Sequence, residues 1–145
     1  MARAWRISAL ADRPLLLDTH VFAWWMGAPE RIGAEVQAAI MAPGSVVLIS
    51  VASIWEMGLK HRRGRWPEVA AIVADPAGQL AAEQMLALPI SLAHARGAGL
   101  LDWTHGDPFD RMLAAQAIAE DATLLTADRA FAGLPQSAGL RVLWN

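Results

Sequence analysis

Residues 15–20 of the chain read Leu15-Leu16-Leu17-Asp18-Thr19-His20. Three consecutive leucines are typical of a short strand buried on both faces, because a strand with one solvent-facing side would alternate apolar and polar residues. Strands of this kind occur in parallel sheets that helices cover on both sides. The stretch therefore predicts a central parallel strand that ends directly in a carboxylate, Asp18.

Strand-like and helix-like segments alternate along the rest of the chain. Further apolar runs that predict strands lie at residues 46–49, 86–90, 123–126 and 140–143. Segments that predict helices lie at residues 21–25, 32–41, 51–61, 77–85, 92–98 and 108–120, and another helix is expected to start at Pro67. Ser50, Ser91 and Asp107 are expected to cap the helices that follow them. The alternation predicts an α/β fold with a central parallel sheet of four to five strands and helices on both faces.

Composition limits the class of protein and its compartment. The 145 residues suit one domain, and 55% hydrophobic against 18% charged residues can fill a core. The absence of cysteine excludes disulfides, zinc–thiolate sites and thiol catalysis, and it is compatible with a reducing cytoplasm. No apolar run reaches the roughly 18 residues that span a membrane. We expect a cytoplasmic protein with a flexible tail at residues 1–13 and one folded domain at residues 14–145.

Four acids fall where the predicted strands end. Asp18 follows the first strand, and Glu56 lies in the helix after the second. Asp110 is in the first turn of the helix that Asp107 opens, and Asp128 follows the strand at residues 123–126. Sites in open α/β sheets form beyond the carboxyl ends of the strands, so we expect these acids to converge.

Crowded carboxylates repel one another and resist ionisation. A hard divalent cation relieves that repulsion, and oxygen ligands suit Mg²⁺ or Mn²⁺. Such an ion can polarise a phosphoryl oxygen and activate a water molecule. No set of serine, histidine and acid at comparable strand ends offers a rival nucleophile. The pattern therefore indicates metal-dependent chemistry on a phosphate.

Each acid also has a purely structural interpretation. Asp18, Asp107 and Asp128 are each placed to cap a helix or turn. Glu56 precedes Lys60 by four residues, the spacing of an ordinary ion pair on a helix. Asp110 suits the positive end of a helix dipole. The joint placement of the acids, rather than any one of them, favours a site.

Four blocks of the sequence, in order, resemble the PIN-domain family, and more closely its VapC-type toxin ribonucleases. The blocks are Leu15-Leu16-Leu17-Asp18-Thr19-His20, Ser50-Val51-Ala52-Ser53-Ile54-Trp55-Glu56, His105-Gly106-Asp107-Pro108-Phe109-Asp110-Arg111 with Ala114-Ala115-Gln116-Ala117, and Leu124-Leu125-Thr126-Ala127-Asp128. The resemblance covers nearly everything from Leu15 to Asn145. It implies a single PIN-like domain that hydrolyses RNA phosphodiester bonds with Mg²⁺, for which Mn²⁺ can substitute.

The resemblance also assigns roles to residues. It implies catalytic roles for Asp18, Glu56, Asp110 and Asp128, and places the metal on Asp18, Asp110 and Asp128. The Ala114-Ala115 pair sets the register that favours Asp110 over Asp107 as the third acid, and the choice between the two stays open. Asp107, Thr19 and Thr126 are expected to support the site.

The resemblance implies three partners, namely an RNA substrate, a small cognate antitoxin and a second copy of the chain in a homodimer. A net charge of −2 lacks the basic surplus of proteins that grip long duplexes. Contacts to RNA or to a partner are instead expected from a compact basic run containing Lys60, Arg62, Arg63 and Arg65. Tryptophan is enriched at interaction hot spots. The candidates are Trp24, Trp25, Trp55, Trp66 and Trp103, each of which can equally belong to the core. His20 and His105 are interpreted as structural.

Other protein classes fit the same pattern less well. A phosphatase of the haloacid dehalogenase type needs a second aspartate two residues after Asp18, where this chain has His20. A receiver domain needs an acidic pair at the first strand and a lysine near the last, and neither is evident. A PIN-like scaffold without catalysis stays open as an alternative.

Overall fold

The computed structural model describes residues 12–145, so the expected tail at residues 1–13 lies outside the described residues except for its last two. Five strands form one sheet in the order β3-β2-β1-β4-β5, with every neighbouring pair parallel. They are β1 (Leu15–Leu17), β2 (Val47–Ser50), β3 (Leu86–Leu88), β4 (Thr123–Thr126) and β5 (Arg141–Trp144). The predicted central parallel strand is confirmed, because β1 pairs with β2 on one side and β4 on the other.

Helices connect the strands as the sequence predicted. They are α1 (Thr19–Gly27), α2 (Ala34–Met41), α3 (Val51–Arg62), α4 (Ala70–Ala74), α5 (Pro76–Ala82), α6 (Leu92–Leu100) and α7 (Pro108–Ala119). Short 3-10 turns lie at Pro29–Arg31, Pro67–Val69, Arg129–Gly133 and Gln136–Ala138. The three predicted N-caps are confirmed, since Ser50, Ser91 and Asp107 each accept a backbone N–H of the helix that follows. No helix of residues 12–145 is long and apolar enough to cross a membrane.

Several boundaries differ from prediction by one to three residues, among them the helix predicted at residues 77–85, which is Pro76–Ala82. Three further differences have a local reason. The strand predicted at residues 86–90 ends at Leu88, because Pro89 has no N–H to donate to the ladder. The helix expected from Pro67 is a 3-10 turn that leads into the short α4. Helix α1 starts at Thr19, two residues earlier than predicted, because the Asp18 side chain already accepts the Thr19 N–H at 2.7 Å.

The two faces of the sheet carry separate halves of the core. Leu15 and Leu17 of β1 face a cluster built from α1 to α5. Leu16 faces the opposite way and packs with Leu113 of α7 and with Phe131. All three leucines are buried, which is why the run has no polar residue. Helix α3 therefore covers one face and α7 the other, and both reach the carboxyl edge where Asp18 ends β1.

Candidate active site at the carboxyl edge of the sheet

Asp18 is the buried centre of the candidate site, with 4% of its surface exposed. Its Oδ1 accepts the Thr19 N–H, and its Oδ2 accepts the Thr126 hydroxyl at 2.6 Å. Burial raises the pKa of the Asp18 carboxyl above its ordinary value, and the hydrogen bond from Thr126 is the strongest of the effects that oppose it. The charge of Glu56 adds a smaller upward contribution to the same pKa.

Two hydroxyls support this centre in different ways. Thr126 Oγ1 donates to Asp18 and accepts the backbone N–H of Asp128 at 2.9 Å, so one hydroxyl joins the acids at the ends of β1 and β4. Thr19 is fully buried, and its Oγ1 donates to Ser53 Oγ at 2.9 Å. The Thr19 hydroxyl thus ties α1 to α3, while its backbone N–H is the group that contacts Asp18.

Glu56 was predicted both as an ion-pair partner of Lys60 and as an acid of the site, and its contacts agree with each role in part. Its Oε2 lies 2.6 Å from Lys60 Nζ, which confirms the predicted ion pair. The carboxylate is nevertheless buried, with 5% of the residue exposed, so this is not an ordinary surface pair. The buried end of the pair lies next to the site, and the lysine extends toward solvent.

Asp107 and Asp110 both lie at the start of α7, but their side chains have different hydrogen-bond partners. Asp107 Oδ1 accepts the N–H groups of Phe109 and Asp110, so its predicted role as N-cap is confirmed. Asp110 Oδ2 lies 2.7 Å from His105 Nε2, a contact that the interpretation of His105 as structural did not anticipate. The choice of Asp110 rather than Asp107 as metal ligand stays a prediction.

The pKa of Asp110 records how crowded the site is. Burial raises the pKa of this carboxyl from 3.8 to about 6, and the hydrogen bond from His105 opposes the shift. The charges of Asp107, Asp18 and Asp128 each raise it further. Asp128 itself caps the turn at Arg129–Gly133, where its Oδ1 accepts the Ala130 N–H. The fold has therefore brought the predicted acids into one electrostatic group.

The donor set fits a hard divalent cation in its chemistry. Every group is a carboxylate oxygen, and the charges of neighbouring acids add to the effect of burial in raising the pKa of Asp110. Within residues 12–145, no three acidic or histidine side chains already stand around one point as ligands. Mg²⁺ commonly binds through one or two carboxylates and completes its shell with water and substrate phosphate, so a cluster of three protein ligands is not required for it.

Arg111 is a supporting residue that the sequence analysis missed. Its guanidinium donates to the carbonyl oxygens of Trp103 at 2.7 Å, Leu101 at 2.8 Å and Ala98 at 3.0 Å. It also reaches the carbonyl of His105 at 3.1 Å, and so fixes the loop that presents His105 to Asp110. All of these acceptors are backbone groups, which the sequence does not mark, so only the fold reveals the contact.

Of the residues predicted to contact RNA or a partner, some already have side-chain contacts within the described part of the chain and others are exposed. Lys60 is held by Glu56 and lies 5.6 Å from the Trp66 ring, which also stacks with His20 at 4.7 Å. The cationic groups of Arg62, Arg63 and Arg65 are exposed and form no ion pair within the described part of the chain. Of the tryptophans in that part, only Trp55 is exposed.

Comparison with known proteins gives matches that agree with this architecture. The family model of the PIN domain matches residues 15–136. Ribonuclease VapC22 of Mycobacterium tuberculosis is 26% identical, over 79% of this chain and 87% of its own length. In the VapBC2 structure from Rickettsia felis, bound to a DNA fragment from its promoter, a chain aligns with TM-score 0.64 and 18% identity. The alignment covers 90% of this chain and 98% of that chain. A chain of the DNA-bound VapBC structure from Salmonella typhimurium aligns with TM-score 0.63 and 17% identity. That alignment covers 90% of this chain and 97% of that chain.

Substitutions of Asp107 and of Asp110 should differ in their effects on stability and on metal affinity. Asp107→Ala removes the cap and is expected to lower the free energy of unfolding by about 1 kcal/mol, with Mn²⁺ affinity mostly kept. Asp110→Asn should keep or raise stability while losing Mn²⁺ affinity. Thermal melts and Mn²⁺ titrations of both variants measure this, and the reverse pattern would move the ligand assignment to Asp107.

The raised pKa of Asp110 predicts a pH-dependent stability in metal-free buffer. Between about pH 4 and 6 the unfolded chain releases this proton while the folded protein retains it, so the free energy of unfolding falls as pH rises. Above about pH 6 the carboxyl is ionised in both states, and the full penalty is present.

Asp110→Asn should therefore melt higher than the wild type at pH 7 and nearly level with it at about pH 4. The matched control is Asp121→Asn, an exposed acid before β4 that pairs with Arg13 and Arg141 and should show no such gain. Melting curves that keep a constant separation across this range would contradict the burial of a charged Asp110.

Proposed function

The chain belongs to the PIN domain family, and from that membership we propose that it is a Mg²⁺-dependent endoribonuclease acting as the toxin of a toxin–antitoxin pair. The observation that carries the proposal is that the Thr126 hydroxyl joins Asp18 to the backbone of Asp128 at one edge of the sheet, where the charges of both acids also raise the pKa of Asp110. An anionic RNA backbone cannot approach such a group of carboxylates unless positive charge is supplied. When bound, a divalent cation supplies that charge, polarises the phosphoryl group and lowers the pKa of water.

The carboxylates divide the work of the proposed site. Asp18, Asp110 and Asp128 would hold the cation directly or through bound water, and Mn²⁺ can replace Mg²⁺ because both prefer oxygen ligands. Glu56 Oε2 is engaged by Lys60, so Oε1 is the oxygen that accepts a proton from the attacking water. Asp107 supports the site indirectly by starting α7 at the position that presents Asp110.

Hydrogen bonds from neighbouring groups hold the proposed acids in place. Thr126 fixes Asp18 and the backbone of Asp128 together, and His105 fixes one oxygen of Asp110. Ligands that are oriented in this way lose little freedom when they bind a cation. Changing such a supporting partner typically costs 10- to 100-fold in metal affinity or activity, as an order of magnitude.

We also propose a small antitoxin and a second copy of the chain as partners, with cytoplasmic RNA as the substrate. The support is that similar chains occur in VapBC complexes and that FitAcB from Neisseria gonorrhoeae, at TM-score 0.55, shares the fold. Arg62, Arg63 and Arg65 are exposed and offer a cationic surface for an acidic segment of the antitoxin or for RNA phosphates.

Cleavage of RNA should require both the cation and the carboxylates. With Mn²⁺ or Mg²⁺ the purified chain should cleave single-stranded RNA, and excess EDTA should stop it. Asp18→Asn should reduce the rate by more than about 100-fold, since a direct ligand matters more than its supporting partners. Asp121→Asn makes the same chemical change at the opposite edge of the sheet and should retain activity. Cleavage in EDTA, or an unaffected Asp18→Asn, would contradict the metal mechanism, and metal binding without cleavage would favour the scaffold alternative.

Expression together with the neighbouring gene should reveal the antitoxin. We expect a stable complex that purifies as one species and cleaves RNA more slowly than the free chain. The free chain should also arrest growth when overexpressed, and Asp18→Asn should not. A chain that purifies alone and is harmless would refute the toxin assignment and leave the nuclease proposal standing.

A further inference from the structure

Trp55 is an exposed tryptophan next to a buried candidate catalytic acid. It precedes Glu56 on α3 and leaves 62% of its surface exposed, whereas Glu56 leaves 5%. Its ring meets the ring of Phe109 at a centroid distance of 5.0 Å with the planes 76° apart. Phe109 in turn precedes Asp110 on α7. An aromatic pair therefore lies one residue away from two of the acids.

The other large rings nearby already have partners. Arg31 lies over the ring of Trp24 at 4.5 Å, and Arg129 over that of Trp144 at the same distance. His20 stacks on Trp66, and Phe131 lies against Trp103. Trp25 donates its indole N–H to Glu83.

Trp55 differs because its one aromatic contact within residues 12–145 is T-shaped. An edge-on partner leaves at least one face of the indole free, so the ring can stack on a further aromatic group.

The pair also bridges the two helical layers of the fold. Helix α3 covers one face of the sheet and α7 covers the other, so the Trp55–Phe109 contact joins the two layers at the edge that carries the acids. Arg62 lies two helical turns beyond Trp55, about 10 Å along α3, and has no ion-pair partner in the described chain. Proteins that bind single-stranded nucleic acid combine aromatic side chains, on which bases stack, with positively charged groups that contact the backbone.

We propose that Trp55, supported by Phe109, is a stacking surface for one nucleobase of single-stranded RNA beside the carboxylate site. The inference rests on the proposed function and names its substrate class, an unpaired RNA strand. Stacking on an aromatic face requires a base that is not paired, because paired bases are already stacked within a helix. An apolar protein side chain could also cover Trp55, but the exposed Arg62 on the same helix suits a phosphate rather than an apolar segment.

Equilibrium binding of two probes separates stacking from attraction to phosphate. The protein is the full chain carrying Glu56→Gln, which keeps the proposed metal ligands, with Mg²⁺ present, so that bound RNA is not cut. One probe is a fluorescein-labelled oligomer of eight adenosines, and the other is an abasic oligomer of the same length and charge. Trp55→Ala is compared with Trp55→Phe, which keeps a ring, and with Leu92→Ala, which removes an exposed side chain (92% exposed) on α6.

Trp55→Ala should weaken binding of the adenosine oligomer by about 5- to 100-fold and leave the abasic oligomer unchanged. Trp55→Phe should recover most of the affinity, and Leu92→Ala should match the parent. Leu92→Ala should melt with the parent, and Trp55→Ala slightly below it, because Trp55 is mostly exposed but loses its contact with Phe109.

Four outcomes would overturn the inference. They are unchanged affinity in Trp55→Ala, equal losses on both probes, no binding of the adenosine oligomer by the parent, and loss of a dimer or antitoxin complex with RNA affinity intact. The last would identify Trp55 as a protein contact. In the chain that retains all of its acids, metal-dependent cleavage that is unchanged by Trp55→Ala would refute this inference alone. Trp55-dependent binding, with no cleavage by the chain that retains all of its acids, would refute the nuclease proposal alone.

Discussion

The carboxylate of Asp18 is held at the end of the central strand, where burial by itself favours the neutral form and raises its pKa. The fold offsets this with hydrogen bonds from the Thr19 N–H and from the Thr126 hydroxyl of the neighbouring strand. The second bond depends on the parallel register of β1 and β4, in which Leu17 stands opposite Leu125. The same hydroxyl fixes the backbone of Asp128. The parallel register of β1 and β4 therefore also determines how the acids of the site are held.

The crowding around Asp110 has a consequence for stability as well as for binding. A carboxyl whose pKa is raised to about 6 by burial and by three neighbouring acids makes the metal-free protein less stable at neutral pH. Functional sites commonly carry strain of this sort, because the free energy is recovered when the ligand binds. The structure shows no finished three-ligand cage within residues 12–145, in keeping with a cation whose remaining ligands come from water and substrate.

The sequence was informative where the signal is local. The buried run Leu15–Leu17, the caps and the ion pair of Glu56 with Lys60 all follow from residue type and spacing, and the structure has each of them. It was uninformative where the partner is a backbone carbonyl or comes from a distant segment. The hydrogen bonds of Arg111 to backbone carbonyls, the bond between His105 and Asp110, and the burial of Glu56 all depend on how α3, α6 and α7 are packed. Exposure of Trp55, rather than of the other tryptophans, also required the fold.

The central claim is that the carboxylates at the edge of the sheet hold a catalytic cation. A crystal structure of the protein grown with Mn²⁺, with anomalous diffraction measured at the manganese edge, tests it most directly. We expect anomalous density about 2.0–2.3 Å from carboxylate oxygens that include Asp18 or Asp110, with Asp128 bound directly or through water. Density confined to surface acids such as Asp121, in protein that still cleaves RNA, would contradict the account.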